Sequence, residues 1–256
     1  MSFFITPRRL LLFLGACIAG LLVMHLLMIV EDDILTHTGK VSFLREMFDL
    51  NREKNVPTMF STLQLFLASG LLLVLFTESR QSARNDTYYW LGLSIVFAFL
   101  AFDEFCELHE RLMAPTRKLL HTHGALQFAW VIPYAALVAV FAGLYLRFWW
   151  RLPSRSRWLF AVAGVTYVGS GIGMEVLGSY VFTLYGWNSI QFDVQTLFEE
   201  VLEMSGVALF VFAVTELVRD RARSFSVRLA PAPSTTPSAL VADVIEGDTI
   251  RLRKLG

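Results

Sequence analysis

The sequence predicts an all-α polytopic membrane protein with six transmembrane helices. Of its 256 residues, 55% are hydrophobic and only 17% are charged, and the mean hydropathy is +0.54. The apolar residues are gathered in runs of about twenty, and an α-helix of that length crosses about 30 Å of hydrocarbon. Most of the basic residues lie between the runs. Together these observations exclude an ordinary soluble domain.

Residues 1–228 are expected to form the membrane domain. The predicted spans are 10–30, 58–76, 88–110, 125–148, 158–182 and 192–218. A short amphipathic helix is expected at about 41–50, and Pro133 predicts a kink near the start of the fourth span. Residues 229–239 are rich in proline, serine and threonine, which is typical of a linker. Residues 240–256 alternate as in a β-hairpin and predict a short cytoplasmic tail that does not fold alone.

The distribution of basic residues predicts that both termini are cytoplasmic. With six spans, the N-terminus, the second loop, the fourth loop and the C-terminus lie on one side of the membrane. Their flanks carry Arg8, Arg9, Arg80, Arg84, Arg147, Arg151, Arg155, Arg157, Arg219, Arg221, Arg223 and Arg228. The opposite loops hold fewer basic residues. The positive-inside rule therefore predicts a multi-pass protein of the cell membrane with this side facing the cytoplasm.

Two acidic stretches coincide with predicted spans. Residues 102–110 read FDEFCELHE and residues 198–204 read FEEVLEM, so both begin with an aromatic residue, two acids, two apolar residues and a third acid. The repeat predicts two three-helix halves of inverted topology, an arrangement common in transporters. Glu175 lies in the glycine-rich half of the fifth span, at a similar predicted depth. Charges in hydrocarbon are unfavourable, so these acids must pair, bind a cation or contact water.

The acids predict a divalent metal site between spans three, five and six. On an uninterrupted helix Asp103, Glu107 and Glu110 share one stripe. Oxygen ligands suit calcium, magnesium or manganese, and a histidine ligand would also admit zinc or iron, so the identity of the metal stays open. No catalytic residue can be assigned. The predicted ligands are Asp103, Glu107, Glu175, Glu199 and Glu203, with Glu200 and His109 as further candidates.

Three functions are compatible with this pattern. A bound metal ion can activate water against a lipid or lipid-linked substrate, which would make the protein a hydrolase. The acids can instead form a titrating relay in a proton- or cation-coupled transporter, although the inner halves of the spans are nearly all apolar. The third function is that of a non-catalytic subunit, whose acids pair with a membrane-protein partner. The formal net charge of zero gives no electrostatic reason to expect nucleic-acid binding.

A short stretch before the second span resembles part of a known superfamily. Glu53-x-Asn55 ahead of Ser61 is similar to the early Glu/Asn/Ser stretch of the membrane hydrolases that include alkaline ceramidases. Those proteins are seven-helix zinc enzymes, and the resemblance implies metal-site parts for Asp103 and His109. This chain has one predicted span fewer and lacks their late His-x-x-x-His helix. No characterised family is recognised over the full length.

The predicted topology can be tested by labelling introduced cysteines with a membrane-impermeant maleimide. We expect Lys40→Cys and Asp193→Cys to react in intact cells, because both positions lie opposite the basic loops. The native Cys17 and Cys106 are first replaced by alanine. Arg155→Cys, in the fourth loop, is the matched control and should react only after lysis. Labelling of positions 40 and 193 only after lysis would contradict the topology.

Overall fold

The structure confirms the predicted fold class. It is a computed structural model that describes residues 6–35, 43–187 and 189–221, and within these ranges it contains helices and turns but no strand. Six segments of this part are long and apolar enough to cross a membrane: Pro7–Glu31, Val56–Gln81, Thr87–Cys106, Val131–Trp150, Ser154–Tyr185 and Ile190–Arg221. The predicted linker at 229–239 and tail at 240–256 lie outside the described residues.

Nine α-helices occur in the described part of the chain. They are α1 (Pro7–Leu35), α2 (Phe43–Phe48), α3 (Val56–Gln81), α4 (Thr87–Cys106), α5 (Leu108–Leu120), α6 (Val131–Trp150), α7 (Ser154–Val168), α8 (Glu175–Tyr185) and α9 (Ile190–Arg221). A π-helical turn, Gly169–Met174, joins α7 to α8 within the fifth span. The helix α2 corresponds to the short helix predicted at about 41–50.

The third span ends earlier than predicted, and the stripe of acids expected on it is wrong. The backbone of Glu107 is left-handed (φ 55°, ψ 42°), so α4 ends at Cys106 and α5 begins at Leu108. The Asp103 carboxylate accepts a hydrogen bond of 2.8 Å from the backbone N–H of His109. A side-chain acceptor of this kind satisfies an amide at the start of a helix that has no intrahelical partner. Asp103, Glu107 and Glu110 therefore do not share one helix face.

The fourth span begins later than predicted. Residues Gly124–Leu126 form a short 3-10 turn, and α6 starts only at Val131. Pro133 therefore lies in the first turn of α6, where a missing backbone N–H breaks no intrahelical hydrogen bond. The kink predicted at Pro133 is replaced by a helix start.

The loop before α3 is held by Asn55, which is also the N-cap of that helix. Its side-chain oxygen accepts hydrogen bonds from the backbone N–H and the hydroxyl of Thr58, at 3.2 and 3.1 Å. Its side-chain amide donates to the carbonyl oxygens of Asp49 and Arg52, at 2.7 and 2.9 Å. Asn55 thus anchors the turn on which Glu53 lies against the end of the helix.

Helix α9 forms the centre of the bundle. In its most apolar stretch 56% of the residues are buried, compared with 11% in the fifth span. It contacts α1, α3, α7 and α8, and the side chains of Val211 and Val214 are completely enclosed. The acids at positions 199, 200 and 203 therefore lie on the most enclosed helix of the described structure.

Helices α7 and α9 approach each other closely at Gly206. A Cβ atom added at Gly206 would lie 2.7 Å from the backbone nitrogen and 2.9 Å from the Cα of Tyr167. Real Cβ atoms do not approach backbone atoms this closely, so a larger residue would force the two helices apart. Glycine is required at this position by contact rather than by backbone conformation.

Substitution Gly206→Ala should therefore destabilise the protein, by roughly 1–3 kcal/mol as in other overpacked cores. Helix propensity alone predicts the opposite sign, because alanine is favoured over glycine by about 1 kcal/mol inside a helix. Gly164→Ala in α7 is the matched control, since nothing lies within 4 Å of its added Cβ. Thermal unfolding in detergent should lower the Tm for Gly206→Ala and leave it equal or higher for Gly164→Ala. A raised Tm for both variants would contradict the close approach.

Candidate functional site

The predicted acids gather at one end of the bundle, where α3, α6 and α9 begin and α4 and α8 end. We call this group the acidic cluster. It draws residues from the loop before α3, the junction between α4 and α5, the start of α8 and the first half of α9. Its members are Glu53, Asp103, Glu104, Glu107, His109, Glu110, Glu175, Glu199, Glu200 and Glu203.

His109 lies between two carboxylates of the acidic cluster. Its Nδ1 atom is 3.4 Å from Asp103 Oδ2, and its Nε2 atom is 3.8 Å from Glu53 Oε1. Asp103 is buried, and it also binds the backbone N–H of His109. The break after α4 thus turns the imidazole back towards the helix that precedes it and towards the loop before α3.

Two aromatic residues at the start of α6, Trp130 and Tyr134, lie against one side of the acidic cluster. The indole N–H of Trp130 donates a 2.8 Å hydrogen bond to Glu175 Oε1. The ring centroid of Trp130 lies 4.7 Å from that of His109 and 5.2 Å from that of Tyr134. The Tyr134 side chain in turn interacts with the Asp103 carboxylate. Sequence reasoning missed both aromatic residues, whose only signal was an i,i+4 pair at the start of a span.

Helix α9 supplies a hydrogen-bond donor for its own acid. The side-chain amide of Gln195 donates to Glu199 Oε2 at 2.9 Å and to the Met174 carbonyl oxygen at 2.8 Å. Glu199 is buried, and its carboxyl group interacts directly with that of Glu175. The two acids from α8 and α9 therefore face each other inside the bundle rather than the lipid.

The π-helical turn lies against Glu203. A Cβ atom added at Gly171 would lie 2.8 Å from Glu203 Oε1. The carboxylate of Glu203 thus occupies the space that any side chain at Gly171 would need. Single π-helical turns within α-helices are frequent at functional sites. Here the turn keeps α7 and α8 in one continuous span. The carboxylate of Glu203 lies against the backbone of this turn.

Three acids meet at the rim of the acidic cluster. Glu53, Glu107 and Glu110 each offer a carboxylate oxygen, and these oxygens lie within 4.8 Å of one another. Ligand atoms around one ion at 2.3–2.6 Å are at most about 5 Å apart, so this spacing fits a single cation. The exposed Lys54 contacts Glu107 Oε1 at 2.6 Å. Glu53 Oε2 is buried and has no hydrogen-bond partner in the described part of the chain.

The predicted ligands separate into two groups in the structure. Only Glu107 belongs to the rim group, and its companions there are Glu53, which was no metal candidate, and Glu110. The remaining predicted ligands lie behind the rim and interact with donors of the protein or with one another. Among the described residues, the rim is the only group of three acids, histidines or cysteines with this spacing. This inner group comprises Asp103 and Glu199, which are buried, and His109, Glu175, Glu200 and Glu203, which are partly buried.

Glu53 at the rim and its neighbours His109 and Lys54 lie outside the spans and have shifted pKa values. Burial raises the pKa of Glu53 to about 8, with further contributions from neighbouring acids that outweigh His109. Burial alone would lower the pKa of His109, but the hydrogen bond to Asp103 and the charges of Asp103 and Glu53 raise it to about 9. The hydrogen bond to Glu107 raises the pKa of Lys54. Near neutral pH Glu53 therefore carries a proton, and the imidazole of His109 beside it is protonated.

Comparison with sequence families gives a match over most of the chain. The family described as Domain of unknown function (DUF8692) matches residues 10–217, a region that reaches from the first span to the last and contains the whole acidic cluster. The chain belongs to this family. Comparisons with curated proteins and with solved structures found no significant match. The description of the family assigns no activity, so a functional proposal must rest on the chemistry of the site.

The shifted pKa values of His109 and Glu53 predict that the stability of the protein falls as pH rises. The folded pKa of His109 lies above its usual 6.5, so its contribution is complete below about pH 6.5 and is lost as pH rises through about 9. The folded pKa of Glu53, about 8, also lies above its usual 4.5. Ionisation of Glu53 therefore lowers the stability of the fold as the pH rises from about 4.5 to about 8. We expect the Tm of the chelator-treated protein in detergent to fall steadily between pH 6.5 and 9.

Glu53→Gln should reduce this fall, because glutamine cannot ionise. Glu46→Gln, at an exposed position on α2, is the control and should follow the wild type. A Tm that stays level or rises between pH 6.5 and 9 would contradict the assigned protonation states.

Proposed function

We propose that the acidic cluster binds a divalent metal ion that activates water for hydrolysis of a lipid or lipid-linked substrate. The proposal rests on the rim group, which consists of Glu53, Glu107 and Glu110. Three carboxylates from two separate segments converge there, and Glu53 Oε2 is buried without a partner among the described residues. A cation at the rim would satisfy that oxygen and relieve the repulsion between the acids.

The ligand chemistry favours a hard cation. Oxygen ligands from Glu53, Glu107 and Glu110 suit calcium, magnesium or manganese. Lys54 is the cation that now contacts Glu107, and its side chain is 72% exposed, so it can move into solvent when a metal ion binds. His109 lies next to Glu53 and, on release of its proton, would add a nitrogen ligand suited to zinc. The acids behind the rim are candidates to accept the proton of the activated water.

The position of the rim favours an amphipathic substrate. The rim follows directly on the last turn of α4, a span whose outward side chains include Phe102 and Phe105, which are 54% and 62% exposed. A lipid could therefore keep its acyl chains beside α4 while its polar group reaches the acids. The predicted orientation puts this end of the bundle on the external side of the cell membrane.

The middle of the bundle argues against the transporter alternative. Ser69 and Ser94 donate hydrogen bonds to each other's carbonyl oxygens, at 2.8 and 2.9 Å, and so satisfy each other. Beyond them lie enclosed leucines and the stacked rings of Phe97 and Phe210, whose centroids are 4.3 Å apart. A transported ion would need polar partners along this stretch. The non-catalytic alternative is also less favoured, because the acids of α8 and α9 find partners within this chain.

Metal binding can be measured on the full-length protein in detergent. We expect elemental analysis to find a bound divalent metal, and chelation to lower the Tm. Titration of the chelated protein with Mn²⁺, Ca²⁺, Mg²⁺ or Zn²⁺ should restore it. Glu110→Gln should weaken metal binding by at least roughly tenfold, since even residues outside the ligand set affect affinity by this much. Glu46→Gln is the control, because it removes the same charge from α2.

Turnover is tested separately with vesicles that contain a panel of phospholipids and sphingolipids. Release of a fatty acid or a head group should require the metal and should be lost in Glu110→Gln. Absence of bound metal, together with a Tm unaffected by chelator, would refute the whole proposal. Metal binding without turnover of any lipid would refute only the hydrolase part.

A further inference from the structure

A second site lies at the opposite end of the bundle and shares no residue with the acidic cluster. A cavity of about 410 Å³ opens there between the α3–α4 turn, the end of α6 and the end of α9. Three of its nine lining residues are arginines and one is an acid. The lining residues are Ala83, Arg84, Asn85, Asp86, Tyr89, Phe148, Arg151, Leu152 and Arg221.

Of the three arginines, Arg221 is the one whose side chain is held in place by its neighbours. Its side chain is only 10% exposed, and its Nη1 and Nη2 atoms donate to Ser79 Oγ at 3.1 Å and to Asp86 Oδ2 at 2.9 Å. Its guanidinium group also lies over the ring of Trp90, 5.1 Å from the centroid. Its Nη1 atom also lies 3.7 Å from Glu78 Oε2. These contacts hold the group in one orientation, and its five N–H bonds leave donors in excess of these three acceptors.

The other two arginines are less committed to partners. Arg151 follows the last turn of α6, and its side chain forms no ion pair or hydrogen bond with another described residue. Arg84 is 48% exposed, and its Nε atom lies 3.9 Å from Glu78 Oε1, which is a long contact. The only acid of the lining, Asp86, is already paired with Arg221. The cavity therefore has an excess of guanidinium donors over acceptors.

Aromatic residues form the remaining wall. The rings of Tyr89 and Phe148 stack with centroids 4.8 Å apart. Asn85 also lines the cavity, and its side-chain amide is a further hydrogen-bonding group. A wall of this kind offers apolar contact beside the charged donors, as is usual in ligand sites of this size.

We infer that this cavity binds a phosphate group, held by the guanidinium groups of Arg84, Arg151 and Arg221. Guanidinium is the side-chain group best matched to phosphate, because its planar N–H bonds can donate in pairs to two oxygens. The ligand is a phosphate mono- or diester, carried either by an anionic lipid head group or by a small molecule in the aqueous phase. The cavity lies at the same end as the arginine-rich loops, so the predicted orientation gives it access to the cytoplasmic leaflet and to the cytoplasm.

The two sources are distinguished with the full-length protein. Inorganic phosphate is titrated against the protein in detergent, with sulfate-free buffer at constant ionic strength. In parallel, the protein is reconstituted into nanodiscs of phosphatidylcholine alone or of phosphatidylcholine with phosphatidylglycerol. A rise in Tm with inorganic phosphate in detergent assigns the aqueous source. A rise only with phosphatidylglycerol assigns the lipid source.

Arg151→Gln is the decisive variant, because Arg151 has no partner whose loss would disturb the described fold. We expect it to weaken phosphate or lipid binding roughly ten- to a hundredfold, the range for one charge-assisted contact. Arg147→Gln is the matched control, since Arg147 is exposed on the same helix and does not line the cavity. If both variants weaken binding equally, the effect is one of general surface charge, and the inference is overturned. No rise in Tm with either ligand would overturn it as well.

Discussion

The hydrogen bond from the backbone of His109 to the Asp103 carboxylate is the interaction on which the candidate site depends. It accompanies the left-handed turn at Glu107, and that turn ends the third span. Because α5 then starts in a new direction, His109 faces back to Asp103, and Glu107 and Glu110 meet Glu53 at the rim. Without this break, the acids of the third span would lie along one membrane helix.

The acids behind the rim are stabilised because hydrogen-bond donors of the protein reach them. Trp130, just before α6, donates to Glu175, and Gln195 donates to Glu199 within α9. At the π-helical turn, Gly171 leaves room for Glu203. These contacts stabilise carboxyl groups that would otherwise repel one another in an apolar environment. This arrangement keeps acidic groups close to the rim, where a metal-bound water would need a proton acceptor.

The two ends of the bundle differ in the kind of ionisable group that they gather. At the acidic end three carboxyl groups meet at the rim beside Lys54 and His109, and at the other end three arginines and one acid line the cavity. The apolar side chains of α3, α4 and α9 separate the ends. Because the two sites share no residue and lie at opposite ends of the spans, the proposed metal chemistry and the inferred phosphate site can be tested independently, each by variants that leave the other end unchanged.

The six spans, the short helix α2 and the two acidic stretches were predictable from the sequence, because hydropathy and charge pattern are local properties. The predicted acids do lie at one end of the bundle, as the alternation of antiparallel spans requires. The break at Glu107 was not predictable, since capture of a backbone N–H by Asp103 leaves no trace in hydropathy. Glu53 and Trp130 join the site from distant segments. Only the tertiary structure decides such contacts, because they depend on how separate helices pack.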